Sequence, residues 1–219
     1  MSSRFLVLAV DGGAGTGKST TAHSLSQALN LMHVDTGSHY RAITRALLDL
    51  NLQPEEVQEY LNKNTLPLDT EVIKGRSCLL IDGIRFEQNI LRSPEINKSV
   101  SDFSSQSSVR KLLFEYQRSQ VQVARENNFN GLVMEGRDIG TIILPDADLK
   151  IFLEADPTIR IDRRIKDGEK DQISSRDEKD ASRKIAPLVA ANGCIRIDTG
   201  KTGIDEVTQS ILEVIEKLP

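Results

Sequence analysis

Gly12-Gly13-Ala14-Gly15-Thr16-Gly17-Lys18-Ser19 fits the pattern G-x-x-x-x-G-K-[ST] at every fixed position. The apolar run Phe5 to Val10 leads into it, and Ala22, Leu25, Ala28 and Leu29 recur behind it at helical spacing. Strand, glycine-rich loop and helix in that order are the context such a pattern requires. Glycines let consecutive backbone N–H groups turn inward to form an anion-binding nest, and the helix N-terminus adds its positive dipole end at the same point. Lys18 then reaches outer phosphates, and the Ser19 hydroxyl is placed to ligate Mg²⁺. The stretch from Gly12 through Thr20 is expected to hold the phosphates of a nucleoside triphosphate.

Downstream, Leu31-Met32-His33-Val34 reads as a second buried parallel strand, followed by a hydroxyl-rich turn, Asp35-Thr36-Gly37-Ser38, and a helix from Tyr40 to Leu48. Ligands in such βαβ sheets gather outside the carboxyl ends of the strands, so Asp35, Thr36, Tyr40 and Arg41 should face the same cleft as the loop. Taken without that loop, Tyr40 and Arg41 would read as ordinary helix surface. Pro54 to Asn64 reads as a short helix, and Leu66 to Phe86 as a small β-rich excursion with turns at Lys74-Gly75 and Asp82-Gly83. Helices follow at Pro94–Phe103 and Val109–Asn127. Strands are expected at Gly131–Glu135, Leu149–Leu153 and Cys194–Asp198, and helices after Asp156-Pro157 and from Ile204 to Leu218. A polar, charge-crowded second excursion lies near 166–184. The fold class is α/β: a three-layer parallel sheet of the phosphate-loop NTPase type, flanked by helices.

The net charge of −4 gives no electrostatic footprint for nucleic acid. Cys78 and Cys194 are isolated and lack metal-ligand spacing, which suits a reducing cytoplasm. No apolar run approaches a membrane span, so a soluble cytoplasmic protein is expected, with no membrane partner. Tryptophan is absent and aromatics make up 4% of the chain, so arginine and hydrogen bonding are better placed than stacking to read a small ligand.

A GTPase switch would carry N-K-x-D, whereas Asn62-Lys63-Asn64-Thr65 lacks the aspartate and follows no strand. A motor would need a longer chain and paired acidic residues at a strand end. A small-molecule kinase needs a second anion site and positive charge that closes over both, and Arg41, Arg137, Arg163, Arg164, Arg176 and Arg183 are expected to converge on the cleft. The polar stretch then reads as a lid that excludes water.

At this point the chain resembles the bacterial-type cytidylate kinases along almost its whole length. The matching segments are Asp11 through Thr20, Asp35-Thr36-Gly37-Ser38-His39-Tyr40-Arg41, Gly131 to Thr141 (GLVMEGRDIGT), Pro145-Asp146-Ala147 before Phe152-Leu153, Arg176-Asp177-Glu178-Lys179-Asp180, and Arg183 to Leu188. EGRDIGT with the following PDA and the R-D-x-x-D stretch is the most specific part. The resemblance implies a core at 1–65, 128–165 and 185–219, a monophosphate-binding insertion at about 66–127 and a short lid at about 166–184. It also implies a Mg²⁺-dependent monomeric phosphotransferase that moves the γ-phosphoryl group of ATP to CMP or dCMP. By the same resemblance, Gly12, Gly13, Ala14, Gly15, Thr16, Gly17, Lys18, Ser19 and Thr20 hold ATP. The residues Thr36, Tyr40, Arg41 and Arg137 place the acceptor phosphate, and Ser101, Arg110 and Asp138 read cytosine. Arg176 and Asp180 contact the ribose, Arg183 reaches phosphate, and Glu135 lies near the metal beside Ser19. Lys18, Arg137, Arg176 and Arg183 are the implied catalytic set.

Two departures stand out. Gly13 occupies a position where the family pattern has proline, which adds loop freedom. The interval from Arg164 to Arg176 is shorter than usual, as though part of a lid helix were missing.

Overall fold

In a computed structural model, residues 4–166 and 186–218 are described. The loop's strand, β1 (Leu6–Gly12), lies inside an eight-stranded sheet. The other strands are β2 (Met32–Asp35), β3 (Leu68–Ile73), β4 (Arg76–Ile81), β5 (Ile84–Arg85), β6 (Gly131–Gly136), β7 (Leu149–Glu154) and β8 (Ile195–Asp198), in the spatial order β3-β4-β2-β6-β1-β7-β8 with β5 on β4. From β4 through β8 the neighbouring strands run parallel. β3 and β5 run antiparallel to β4, so the sheet is mixed at one edge. The turns at Lys74-Gly75 and Asp82-Gly83 have positive φ at both central residues, the geometry that closes tight hairpins. The β-rich excursion therefore joins the central sheet, through His33 against Arg76.

Helices cover both faces. They are α1 (Lys18–Leu29), α2 (Thr36–Asp49), α3 (Val57–Lys63), α4 (Gln88–Leu91), α5 (Pro94–Ser105), α6 (Ser107–Glu126), α7 (Pro157–Lys166) and α8 (Ile204–Ile215). Strand alternation divides the core. Leu8, Val10 and Val133 pack with Leu25 of α1 and Val207 and Ile211 of α8, whereas Ala9, Leu132 and Met134 pack with Ala124 of α6 on the opposite face. Burial on both faces explains why these strands read as continuous apolar runs. A third cluster gathers α2, α3, β4, α5 and α6 around Ile43, Leu47, Phe103 and Leu113.

The expected elements form, with two local differences. The hydroxyl-rich segment Thr36-Gly37-Ser38 is the first turn of α2 rather than a loop, because the Asp35 side chain accepts from Ser38 N at 3.2 Å and caps the helix. Residues Ile139–Ile143 wind into a π-helical turn that nothing in the periodicity indicated. Only the first residue of the expected lid at 166–184 falls within the described residues. Among the described residues no helix is long and apolar enough to cross a membrane.

Candidate active site

Strand register puts the reactive positions in one row. Val10 and Asp11 lie beside Glu135 and Gly136, and Asp35 beside Glu135, so β1, β2 and β6 end together under the loop. The loop turns at Gly15 (φ +72°) and Gly17 (φ +85°). Gly15 also packs so closely that a Cβ there would meet the Arg160 carbonyl at 2.7 Å.

Four consecutive loop carbonyls each accept from a cationic side chain. Arg137 Nη1 donates to Gly12 O at 2.6 Å, Lys18 Nζ to Gly13 O at 2.7 Å, Arg160 Nη1 to Ala14 O at 3.2 Å and Arg163 Nη1 to Gly15 O at 3.3 Å. These four carbonyls are thus satisfied by fixed cations. Thr16 Oγ1 donates to Gly13 O, and Thr199 Oγ1 donates to Thr16 O, which fastens the loop to the end of β8.

An open cleft of about 260 Å³ joins this loop to the expected acceptor residues. Ala14, Gly15, Gly17, Lys18, Ser19 and Thr20 line one side; Thr36, Tyr40, Arg41, Ser101, Arg110, Arg137 and Asp138 line the rest, with Glu135 at the floor. Gly12, Gly13 and Thr16 lie behind this lining, and Arg176, Asp180 and Arg183 lie outside the described residues.

The acceptor side is preassembled. Arg110 Nη2 donates to Asp138 Oδ2, its Nη1 donates to Ser104 O at 3.3 Å, and its guanidinium stands 5.4 Å from the centre of the Tyr40 ring. Both Arg110 and Asp138 are buried. Arg41 Nη1 donates to Leu91 O at 3.1 Å and to Asn97 Oδ1. Thr36 Oγ1 donates to the Glu135 carbonyl at 2.7 Å, tying α2 to β6. A Cβ on Gly136 would fall 2.6 Å from that same hydroxyl oxygen, so glycine is needed between Glu135 and Arg137.

Glu135 is 3% exposed and divides its carboxylate between two partners: Ser19 Oγ donates to Oε2 at 2.8 Å, and His33 Nε2 lies 2.9 Å from Oε1. A hydroxyl and a carboxylate converging at the loop's mouth form a hard-oxygen donor set, which fits Mg²⁺.

One participant, Asp11, was not among the expected site residues. Asp11 accepts from Ile139 N and Gly140 N, each at 2.8 Å, and holds the π-helical turn behind Asp138. Burial pushes its carboxyl up to about 6, against the lowering pull of those two N–H groups. Arg163, expected at the cleft, donates to Thr199 Oγ1 at 3.1 Å and Thr199 O at 2.7 Å. It borders a second cleft of about 260 Å³ with Thr199, Thr202 and Ile204 on the far side of the loop. Arg164 lines the first cleft.

A parallel α/β sheet, a phosphate loop at its carboxyl edge and an arginine-lined second wall define a phosphate-loop kinase. A family model described as cytidylate kinase matches residues 8–217. A cytidylate kinase of Thermotoga neapolitana is 38% identical over 221 residues, covering 96% of each chain. One from Caldicellulosiruptor saccharolyticus is 36% identical over 223 residues, again covering 96% of each. The chain belongs to the cytidylate kinase family. In fold it is similar to a sugar kinase from a Janibacter species, with a TM-score of 0.52 at 11% identity, covering 97% of this chain and 95% of that one.

Proposed function

We propose that the protein transfers the γ-phosphoryl group of ATP to CMP or dCMP, giving ADP with CDP or dCDP. The observation that carries this is the buried Arg110–Asp138 pair on the wall facing Lys18 and Ser19 in one cleft. Cytosine offers an amino donor at N4 and acceptors at N3 and O2. Asp138 accepts the first, while Arg110 and Ser101 supply the others. Uracil reverses polarity at positions 3 and 4 and would leave buried groups unpaired.

The chain's own residues act by positioning and charge. The loop N–H groups and Lys18 hold the donor phosphates, and the cleft beside Arg163 and Thr199 suits the donor base. Thr36, Tyr40, Arg41 and Arg137 are assigned to the acceptor phosphate, a role supported by their place in the cleft lining opposite Lys18. Ser19, with Glu135 behind it, would hold Mg²⁺, which would supply charge neutralisation for the donor phosphates. The roles of Arg176, Asp180 and Arg183 rest on their place in the sequence pattern. One chain supplies both walls of the cleft, which supports a monomer acting on small molecules, and a cytoplasmic location completes the reading.

The deciding measurement is ADP formation from ATP with CMP, dCMP, UMP, AMP or shikimate as acceptor. Turnover should require an acceptor and favour CMP and dCMP. ATP hydrolysis indifferent to every acceptor would overturn the reading.

A further inference from the structure

Behind Glu135, beneath the floor of the cleft, lies a side chain that the phosphoryl-transfer reading leaves unused. His33 lies on β2, is 1% exposed, and directs Nε2 to Glu135 Oε1 at 2.9 Å. Its Nδ1 has no hydrogen-bond partner among the described residues. A carboxylate oxygen accepts, so the hydrogen of this contact belongs on His33 Nε2. The one hydrogen bond this buried ring makes among the described residues is therefore the contact with Glu135.

The consequence passes along the chain of bonds. With Oε1 occupied by His33, Glu135 presents Oε2 to Ser19, whose hydroxyl donates to it at 2.8 Å. A serine hydroxyl has one hydrogen and two lone pairs. Once the hydrogen is committed to Oε2, the lone pairs are left for a cation at the loop's mouth. Without His33, the Glu135 carboxylate could rotate toward the cleft and release the hydroxyl.

We propose that His33 is a positioning residue for the metal-dependent step: through Glu135 it fixes the direction in which Ser19 offers its lone pairs. This deepens the kinase reading and rests on it for the identity of the nucleotide and metal. Groups that orient metal ligands in this way typically govern affinity by 10- to 100-fold.

The test compares His33→Asn with His33→Gln. A glutamine amide nitrogen reaches the place of Nε2, whereas an asparagine amide stops near Nδ1 and cannot meet Glu135. ADP binding is measured by calorimetry with and without Mg²⁺, alongside the Mg²⁺ dependence of turnover and the melting temperature. His33→Asn should lose about tenfold in the Mg²⁺-dependent part of ADP affinity. It should need correspondingly more Mg²⁺ for half-maximal rate, and its metal-free ADP affinity should be unchanged. His33→Gln should restore both. Equal behaviour of the two variants, or an equal loss of metal-free affinity, would overturn the proposal. If His33→Asn does not fold, His33→Gln decides: wild-type Mg²⁺ dependence supports the role, and a tenfold shift removes it. Because the calorimetry needs no acceptor, it stands even if wild-type protein fails to phosphorylate CMP, which would sink the kinase reading separately.

Discussion

Arg110 Nη2 donates to Asp138 Oδ2, joining the first turn of α6 to the segment that follows β6. The two side chains are 9% and 5% exposed, so the pair presents fixed donors and a fixed acceptor to whatever enters beside them. Asp138→Asn keeps the shape but adds an amide donor where the cytosine amino group needs an acceptor. Efficiency with CMP should fall by about 10²-fold or more. The ratio of CMP to UMP turnover should collapse, and KM for ATP should stay within about twofold. Steady-state kinetics on both acceptors checks this, and an unchanged CMP-to-UMP ratio would count against the base-reading assignment.

Lys18 is 8% exposed and ends on Gly13 O, inside the loop whose phosphates it is to meet. Lys18→Ala removes a charge without opening the apolar core, since none of the three buried clusters includes it. Turnover should drop by about 10³-fold, with the melting temperature moved by only a few degrees. Full activity in this variant would remove the proposed mechanism.

Two buried titrating groups pull stability in opposite directions with pH. Burial holds the His39 imidazole down to about 4, with neither ring nitrogen hydrogen-bonded among the described residues. Above its ordinary value near 6.5 the neutral ring costs nothing; stability is lost as pH falls toward 4, because the unfolded chain binds the extra proton. Asp11 behaves inversely. Its folded value of about 6 exceeds the ordinary 3.8, so its contribution is full below 3.8 and is lost as pH rises through 6. Each displacement is worth roughly 3 kcal/mol, and the two largely offset between about pH 4 and 6. His39→Met, similar in volume and still facing Tyr116, should expose the Asp11 trend. Its denaturation midpoint should fall as pH rises from 4 to 6, where wild type stays nearly level. A midpoint that rises instead would refute the assignment.

These groups also mark where reading the chain by itself stops. Strands buried on both faces and helices with regular apolar spacing declare themselves locally, as Leu6–Gly12 and Lys18–Leu29 do. Most of the cleft was likewise legible, because Thr36, Arg41, Arg137 and Asp138 sit at strand ends or next to them. The π-helical turn was not, since its N–H groups are held by Asp11, which lies 128 residues from Ile139. His33 was hidden for the same reason. It interrupts an apolar run whose meaning depends on Glu135, three intervening strands away in sequence but adjacent in the sheet. Asp35-Thr36-Gly37-Ser38 carried turn chemistry, and the Asp35 cap turned that chemistry into a helix start.

The row of cations on the loop carbonyls gives the last prediction. Position 13 is glycine, so the loop cannot draw stiffness from a fixed φ there. Its stiffness has another source: Arg160 on α7 donates to Ala14 O and, through Nε, to Ala155 O at 3.1 Å, clamping loop, β7 exit and helix together. Arg160→Met keeps the stem and removes both donors. Because the lost bonds lie on the donor side, KM for ATP should rise several-fold while KM for CMP stays level, and stability should fall by about 1–3 kcal/mol. Amide exchange across Gly13–Thr16 should quicken in the same variant, since those groups would then open without unfolding the sheet. An equal rise in both Michaelis constants would mean that Arg160 supports the whole cleft and has no particular hold on the loop.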